Sequence, residues 1–165
     1  MFTVRLRFYE ELNDFLRPRF RKKNILRTLN HRTTVKDVIE SCGVPHTEVD
    51  LILVNGESEV FNYHIYDGDN ISVYPVFESL DISNVTRLQE RPLRVLKFVA
   101  DVHLGKLVKK MRILGLDVTY RNDISDEELL DAVVNEKRIL ITRDRNLLMH
   151  NVVQRGYLVR SVDPP

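Results

Sequence analysis

Two short segments in the second half of the chain each combine an apolar run with an acidic residue just beyond it. Residues 95–100 end at Asp101, and residues 138–141 are followed by Thr, Arg and Asp144. Near-continuous apolar runs of this length predict central strands of a parallel sheet that is covered on both faces. The helical pattern of residues 127–136 lies just before the second run. The order strand, helix, strand indicates right-handed crossover connections.

The predicted strand ends place two carboxylates at one edge of the sheet. In an open α/β sheet, ligands bind beyond the carboxyl ends of the strands, where Asp101 and Asp144 would both emerge. A helix after Asp101 is predicted by apolar residues at helical spacing before Gly115, namely Leu104, Leu107, Val108, Met111 and Leu114. Residues 117–120 then predict another strand. We therefore expect the two acids to face one crevice.

A third acidic position opens the next predicted helix. Ser125 with Glu128 forms a capping-box pattern, and acidic side chains in the first turn of a helix suit its dipole. This structural explanation accounts fully for Glu127 and Glu128 and partly for Asp126. The pattern alone therefore leaves Asp126 open between a helix start and a catalytic role.

The first eighty residues predict a different arrangement. Residues 3–8 alternate polar and apolar positions as a half-buried strand does, and residues 24–29 could form its hairpin partner. Thr34 and Asp37 resemble a capping box at the start of a short helix. Its apolar positions, at helical spacing before Gly43, are Val35, Val38, Ile39 and Cys42.

Two more strands are predicted at residues 51–54 and 71–74, separated by Asn-Gly and Asp-Gly turns. The order strand, strand, helix, strand, strand resembles the ubiquitin-like β-grasp fold, particularly that of the small sulfur-carrier proteins. Those carriers end in an exposed Gly-Gly tail, whereas residues 75–78 here continue as Pro-Val-Phe-Glu. Carrier chemistry therefore has no reacting terminus, and we expect this half to be a packing or partner-binding module.

The boundary between the two patterned halves falls in residues 78–94, which have no helical or strand period. We predict a first domain at residues 1–80, a linker at residues 81–93 and a second domain at residues 94–165. The chain of 165 residues is 43% hydrophobic, which is enough to support a core.

Composition and charge narrow the classes of protein. No apolar run approaches the roughly 18 residues of a membrane span, and the N-terminus lacks a signal-peptide pattern, so we expect a cytoplasmic protein without membrane contact. A single cysteine, Cys42, excludes an internal disulfide and a Cys₄ zinc site, and we expect it to pack in the core. Because the net charge of the chain is only +1, we expect any nucleic acid to bind at local basic patches.

Three groups of basic residues could contact phosphate. The first group is Arg17, Arg19, Arg21, Lys22 and Lys23, and the second, on the polar face of the helix after Asp101, is Lys106, Lys109, Lys110 and Arg112. The third is Arg143, beside Asp144. Each has an ordinary alternative, because charged faces are commonly only solvated and Arg143 could pair with the neighbouring acid. His103 has no second histidine near it, which is more typical of a hydrogen-bonding or capping residue than of a metal ligand.

The strings KFVADVHLGKLVKKMRILGLDVTYRNDISDEELLDAV and EKRILITRD resemble the Mut7-C domain, a branch of the PIN-like ribonuclease superfamily, over residues 94–162. Mut7-C proteins often carry a ubiquitin-like domain at the N-terminus, which fits the β-grasp pattern. The resemblance implies a PIN-like three-layer α/β domain with a parallel sheet after a small α+β domain. It also implies catalytic, metal-binding acids at Asp101, Asp126 and Asp144. A fourth acid stays open among Asp123, Glu127 and Asp131.

The chemistry of phosphodiester hydrolysis agrees with such a cluster. The reaction needs a water deprotonated near neutral pH and a stabilised leaving oxygen, and carboxylate-bound divalent metals provide both. Oxygen ligands favour Mg²⁺ or Mn²⁺. We therefore expect a metal-dependent endoribonuclease that binds RNA, with a possible protein partner at the β-grasp domain. The alternatives are a non-catalytic RNA- or protein-binding PIN-like module and a toxin-type nuclease controlled by a partner protein.

Overall fold

The computed structural model describes residues 1–76, 85–88 and 95–160. The chain forms two compact units, Met1–Arg91 and Pro92–Pro165. Of the predicted linker at residues 81–93, all but residues 85–88 lie outside the described residues. Among the described residues, no helix is both long and apolar enough to cross a membrane.

The first unit is a five-stranded mixed sheet with one α-helix. Its elements are β1 (Phe2–Phe8), β2 (Ile25–Leu29), α1 (Val35–Ser41), β3 (Leu51–Val54), β4 (Glu57–Ser58) and β5 (Asn70–Tyr74). Short 3₁₀ helices lie at Glu10–Phe15, Pro18–Phe20 and His46–Glu48. The strand order is β2-β1-β5-β3-β4, in which β1 and β5 are parallel and the other pairs are antiparallel. The predicted hairpin of β1 with β2 is confirmed, whereas β4 was not predicted.

Local sequence signals explain most of the first unit. In β1 the alternate residues Val4, Leu6 and Phe8 are buried, because a pleated strand turns every second side chain to one face. The predicted capping box of α1 is formed by Thr34 and Asp37. The expectation that Cys42 packs in the core is wrong, because this cysteine ends α1 and is only half-buried.

The second unit is a four-stranded, all-parallel sheet. Its elements are β6 (Lys97–Ala100), α2 (Gly105–Ile113), β7 (Asp117–Thr119), α3 (Asp126–Asn135), β8 (Ile139–Thr142), α4 (Arg145–Leu148) and β9 (Gly156–Leu158). A 3₁₀ turn, Val102–Leu104, connects β6 to α2. The strand order is β7-β6-β8-β9. The predicted fold class, a β-grasp unit followed by a parallel α/β unit, is confirmed.

Element boundaries in the second unit differ from the sequence prediction at two places. Strand β6 begins at Lys97, because Val95 and Leu96 are largely exposed instead of packing in the sheet. Helix α2 ends at Ile113, and Leu114, which was predicted to continue its apolar face, is 77% exposed. The apolar pattern extended past both elements because a hydrophobic residue at a domain surface looks the same in sequence as one in a core.

Candidate active site

An open cleft lies at the carboxyl edge of the parallel sheet in the second unit, with a volume of about 570 Å³. It is lined by Asp101, Val102, His103, Ile124, Ser125, Asp126, Arg143 and Asp144. Strands β6 and β8 are neighbours with parallel register, so the residues that follow them emerge side by side. The cleft thus brings together the three predicted acids and Arg143.

Asp101 is the most constrained of the three acids, since only 9% of it is exposed. Its N–H donates to the carbonyl of Ile141 at 3.0 Å, which extends the pairing of β6 with β8. Its Oδ2 accepts a hydrogen bond of 2.9 Å from the hydroxyl of Thr142, which is fully buried. A buried carboxylate requires such partners, and here the partner comes from the adjacent strand.

The same Thr142 hydroxyl accepts a hydrogen bond of 2.9 Å from the backbone N–H of Asp144. A threonine hydroxyl has one proton to donate and two lone pairs, so it can make both contacts at once. Thr142 therefore fixes the Asp101 carboxylate and also the turn that carries Asp144. Thr142 was not predicted as part of the site, although a hydroxyl residue at the end of a buried apolar strand was a visible signal in the sequence.

Asp144 and Asp126 are both exposed and both begin helices. The Oδ1 of Asp144 caps α4 by accepting from the N–H of Asn146 at 2.7 Å. The cap of α3 is made by Ser125 and Glu128, and among the described residues none donates to the Asp126 carboxylate. The helix start therefore does not require the Asp126 side chain. The Asp126 carboxylate therefore lines the cleft without a hydrogen bond from the described residues.

The 3₁₀ turn that carries Val102 and His103 is anchored from β7. Tyr120, just beyond this strand, donates its hydroxyl to the carbonyl of Val102 at 2.8 Å. A Cβ on Gly105 would lie 2.8 Å from that hydroxyl oxygen, a distance that real Cβ atoms essentially never show. Glycine at position 105 thus lets Tyr120 reach the cleft-lining turn. Neither Gly105 nor Tyr120 was predicted from the sequence to be part of the site.

Residues 1–81 match the family model described as Mut7-C ubiquitin, and residues 96–165 match the model described as the Mut7-C RNAse domain. The chain belongs to the Mut7-C family. The resemblance inferred from sequence is therefore confirmed, and the parallel sheet of the second unit is consistent with its PIN-like α/β fold.

Other comparisons add little to this assignment. No curated protein matches the chain. Among solved structures, the crystal structure of SAMP1 from Haloferax volcanii is similar, with 13% sequence identity and a TM-score of 0.36. The match covers 47% of this chain and 98% of SAMP1. The β-grasp fold of the Mut7-C ubiquitin domain rests on its own strand order instead.

The three acids of the Mut7-C RNAse domain share the cleft, but they do not form a compact ligand group. Over residues 1–76, 85–88 and 95–160, no three His, Cys, Asp or Glu side chains lie close enough together to hold a metal ion. The donor chemistry nevertheless fits Mg²⁺ or Mn²⁺, because all three acids supply hard carboxylate oxygens. In the same described part of the chain, none of the three acids forms an ion pair.

The other candidate residues of the Mut7-C RNAse domain are distributed differently. Lys106, Lys109 and Lys110 are exposed on α2 and are not among the residues that line the cleft. Arg112, at the end of α2, donates to the carbonyl of Val118 through Nη2 at 2.8 Å, so its guanidinium is occupied within the fold. Arg143 and His103 line the cleft, although the sequence analysis did not favour His103 as a ligand.

The candidates for a fourth acid lie outside the cleft lining. Asp123 forms an ion pair with Arg121 at 3.4 Å, and Glu127 and Asp131 are exposed on α3. Glu128, which caps α3, has its pKa lowered because the N–H of Ser125 donates to its carboxylate, with Arg121 as a second donor. The described cleft therefore contains three acids, and the choice of a fourth stays a prediction.

Proposed function

We propose that the protein is a metal-dependent endoribonuclease whose Mut7-C RNAse domain hydrolyses RNA phosphodiester bonds. The observation that carries this proposal is the convergence of Asp101, Asp126 and Asp144 on one cleft from three different elements. Acids held at the carboxyl edge of a parallel sheet are typical of a ligand site. The match to the Mut7-C RNAse domain supports the same reaction class.

The three acids would hold Mg²⁺ or Mn²⁺. When bound, such an ion makes water more acidic and stabilises the charge that develops on the leaving oxygen. Thr142 holds the Asp101 carboxylate in place, so this residue acts as the fixed member of the set. Asp126 and Asp144 are both exposed. The side chain of Asp126 can adjust toward Asp101, whereas Asp144 is held at Oδ1 by its cap on α4.

The charge of the cleft also has to accommodate the RNA. Three carboxylates would repel a phosphate, so a cation in the same cleft is required to position it. Arg143 lines the cleft, and a guanidinium is suited to bind phosphate through two parallel hydrogen bonds. We assign the exposed lysines of α2, Lys106, Lys109 and Lys110, to phosphates of the strand outside the cleft. A protein partner of the Mut7-C ubiquitin domain stays a prediction.

The test uses the full chain and a circular single-stranded RNA. A circle has no ends, so only an endonuclease converts it to linear fragments. We expect hydrolysis with Mg²⁺ or Mn²⁺, none with excess EDTA, and a loss of about 100-fold or more in Asp144→Asn. Glu57→Gln, which removes an exposed carboxylate from β4 of the first unit, is the matched control and should keep full activity.

Each result separates the reaction classes. RNA binding without cleavage under any metal condition would reject the nuclease and favour the non-catalytic binding module. Cleavage that survives in Asp101→Asn, Asp126→Asn and Asp144→Asn would place the reaction outside the cleft. Cleavage that appears only after a copurifying protein is removed would favour the toxin-type alternative.

A further inference from the structure

The Mut7-C ubiquitin domain contains a pocket that carrier chemistry does not explain and that is separate from the acidic cleft. Its volume is about 240 Å³, and it lies between the 3₁₀ segment Pro18–Phe20, strand β2 and the end of α1. Its lining residues are Leu16, Arg17, Arg19, Phe20, Ile25, Arg27, Ser41 and Cys42. The lining thus combines three arginines with an apolar floor and includes no acidic residue.

Arg27 is the arginine that is built into the wall. Its Nη2 donates to the carbonyl of Ser41 at 3.2 Å and lies 3.6 Å from the Sγ of Cys42, which hold the guanidinium at the end of α1. Its Nε is buried, and no described residue offers this atom a hydrogen-bond acceptor. Because this atom has almost no accessible surface, a ligand in the pocket would meet the guanidinium at its terminal Nη groups and not at Nε.

The other two arginines are exposed at the rim. The guanidinium of Arg19 stacks over the ring of Phe20, with 4.6 Å from Cζ to the ring centroid. This stacking orders the side chain and leaves its N–H donors in the plane of the guanidinium. In the described part of the chain, neither Arg17 nor Arg19 uses its side chain in a hydrogen bond or an ion pair. The donors of both remain for a ligand.

We propose that this pocket binds a phosphate monoester. Three guanidiniums without a neutralising acid favour a dianion, and a monoester carries between one and a half and two negative charges near pH 7. A carboxylate or an internal phosphodiester carries only one. The phosphate accepts hydrogen bonds from the guanidiniums that line the pocket, and the organic group of the monoester packs on Leu16, Phe20 and Ile25.

The size of the pocket limits the ligand. A volume of 240 Å³ lies below the roughly 300–1,000 Å³ of pockets that enclose drug-sized ligands, so it holds a phosphate with one ring and not a length of polymer. The phosphate can belong to a free mononucleotide or to the 5′ end of an RNA. Both present the same chemistry to the pocket. Arg17 and Arg19 then bind a terminal phosphate, whereas Lys22 and Lys23 of the same basic cluster lie outside the lining.

The proposal is tested by titrating the full chain with small anions and following binding by calorimetry. The probes are phenyl phosphate, its methyl diester and benzoate, which share the ring and differ in charge. We expect phenyl phosphate to bind. The affinity of each of the two monoanions should be lower by at least about tenfold. Equal binding of all three, or no binding of phenyl phosphate at roughly 10 mM, a concentration that reveals even weak sites, would overturn the assignment.

Variants separate the pocket from general charge. Replacing both rim residues, Arg17→Ala with Arg19→Ala, should weaken phenyl phosphate binding about tenfold or more without unfolding, because both side chains are exposed. Arg27→Lys keeps the charge but removes the planar guanidinium with its fork of N–H donors, and it should also weaken binding. Arg32→Ala is the matched control, an exposed arginine of the same unit outside the lining, and it should bind as the parent does. Equal losses in the control and the rim variant would overturn the site.

A second arm identifies the source of the phosphate. A short fluorescent RNA with either a 5′-phosphate or a 5′-hydroxyl is titrated in EDTA, which prevents metal-dependent cleavage. Tighter binding of the phosphorylated RNA, lost in the rim variant, would show that the pocket holds an RNA end. Equal binding of the two RNAs, with phenyl phosphate still bound, would show that it holds a free monoester. Because this test requires no hydrolysis, it stands or fails independently of the nuclease proposal.

Discussion

The hydroxyl of Thr142 donates a hydrogen bond of 2.9 Å to Oδ2 of Asp101, across 41 positions of sequence. Both residues are buried at the carboxyl ends of neighbouring parallel strands. The contact gives the acidic cleft one carboxylate of fixed position, while the other two acids stay exposed. Any ligand set formed in the cleft is therefore organised around Asp101.

Replacing Thr142 tests this arrangement. Thr142→Val keeps the shape of the side chain but removes the hydroxyl, so Asp101 loses a donor and the N–H of Asp144 loses its acceptor. We expect a loss of about 1–3 kcal/mol in the free energy of unfolding, measured in urea, together with reduced RNA cleavage. Thr142→Ser keeps the hydroxyl, so it should retain most of the stability and most of the RNA cleavage of the parent. A valine variant as stable and as active as the parent would show that the hydroxyl has no such role.

The three Asp-to-Asn variants test whether the acids share one metal ion. Three carboxylates that line one cleft repel one another weakly when no metal is bound, asparagine at position 144 can still cap α4, and asparagine at position 101 can still accept from the Thr142 hydroxyl through its amide oxygen. Without metal, we therefore expect Asp101→Asn, Asp126→Asn and Asp144→Asn to melt near or above the parent. Added Mn²⁺ should raise the melting temperature of the parent, because a ligand stabilises the fold that binds it. The same addition should raise the melting temperature of each variant much less.

Purely structural acids would give the opposite pattern in this experiment. Loss of a cap or of a buried hydrogen bond costs about 1 kcal/mol in the absence of metal, so such variants would melt lower than the parent. They would also respond to Mn²⁺ as the parent does. If all three variants behave in this way, the shared site does not exist.

The contact between Gly105 and Tyr120 predicts a coupled pair of mutations. Gly105→Ala places a Cβ against the Tyr120 hydroxyl, and we expect it to cost about 1–3 kcal/mol through overpacking. Tyr120→Phe loses the hydrogen bond to Val102, a smaller cost of about 1 kcal/mol, but it removes the closest atom of the clash. Gly105→Ala should therefore lower the free energy of unfolding by less in the Tyr120→Phe background than in the parent. Equal costs in both backgrounds, by urea unfolding of the four proteins, would refute the contact.

The elements that sequence predicted well are those with local signals. The alternation in β1, the caps made by Thr34 and Ser125, and the strand-end positions of Asp101 and Asp144 all depend on neighbouring residues. The two strand-end acids could be placed in one cleft because the rule for parallel sheets needs only strand order.

What sequence missed depends on contacts between distant residues. Thr142 matters because its hydroxyl donates to Asp101 at the end of another strand. Tyr120 matters because its hydroxyl donates to the carbonyl of Val102. Strand β9 pairs with β8 through only three residues, a length too short for a periodic signal. Arg27 also has no local signal, because its unpaired donor follows from the packing of β2 against the end of α1.

The lowered pKa of Glu128 predicts a dependence of stability on pH. The folded carboxylate accepts from Ser125 and Arg121, so its pKa lies below the unfolded value of about 4.3. Its contribution to stability is complete above the unfolded pKa and is lost as the pH falls through the folded pKa. The parent should therefore be more stable than Glu128→Gln at pH 7, and the two should converge as the pH drops below about 4.

Urea unfolding between pH 7 and pH 3 measures this convergence. Glu127→Gln removes the same charge from the same turn of α3 but leaves the capping box intact, so it serves as the control. The part of the pH dependence that is specific to Glu128 is the difference between the two variants. If Glu128→Gln and Glu127→Gln follow the same curve, the capping carboxylate does not contribute as proposed.

The last prediction concerns the lysines of α2 and their contacts with RNA. Each phosphate contact made by a lysine releases counterions, and for a single strand it adds about 0.7 to the slope of log K against log salt. If Lys106, Lys109 and Lys110 each contact a phosphate, the triple Lys→Glu variant should lower that slope by about 2. Binding would be measured in EDTA, by fluorescence anisotropy at several salt concentrations.

Reversing Arg5, Arg7 and Arg32 of the first unit changes the net charge by the same amount, so it controls for the overall field. A slope that falls equally in the two triple variants would show that net charge, and not the face of α2, governs binding. An unchanged slope in the α2 variant would mean that RNA is held elsewhere, and Arg143 in the cleft would then be the next residue to replace.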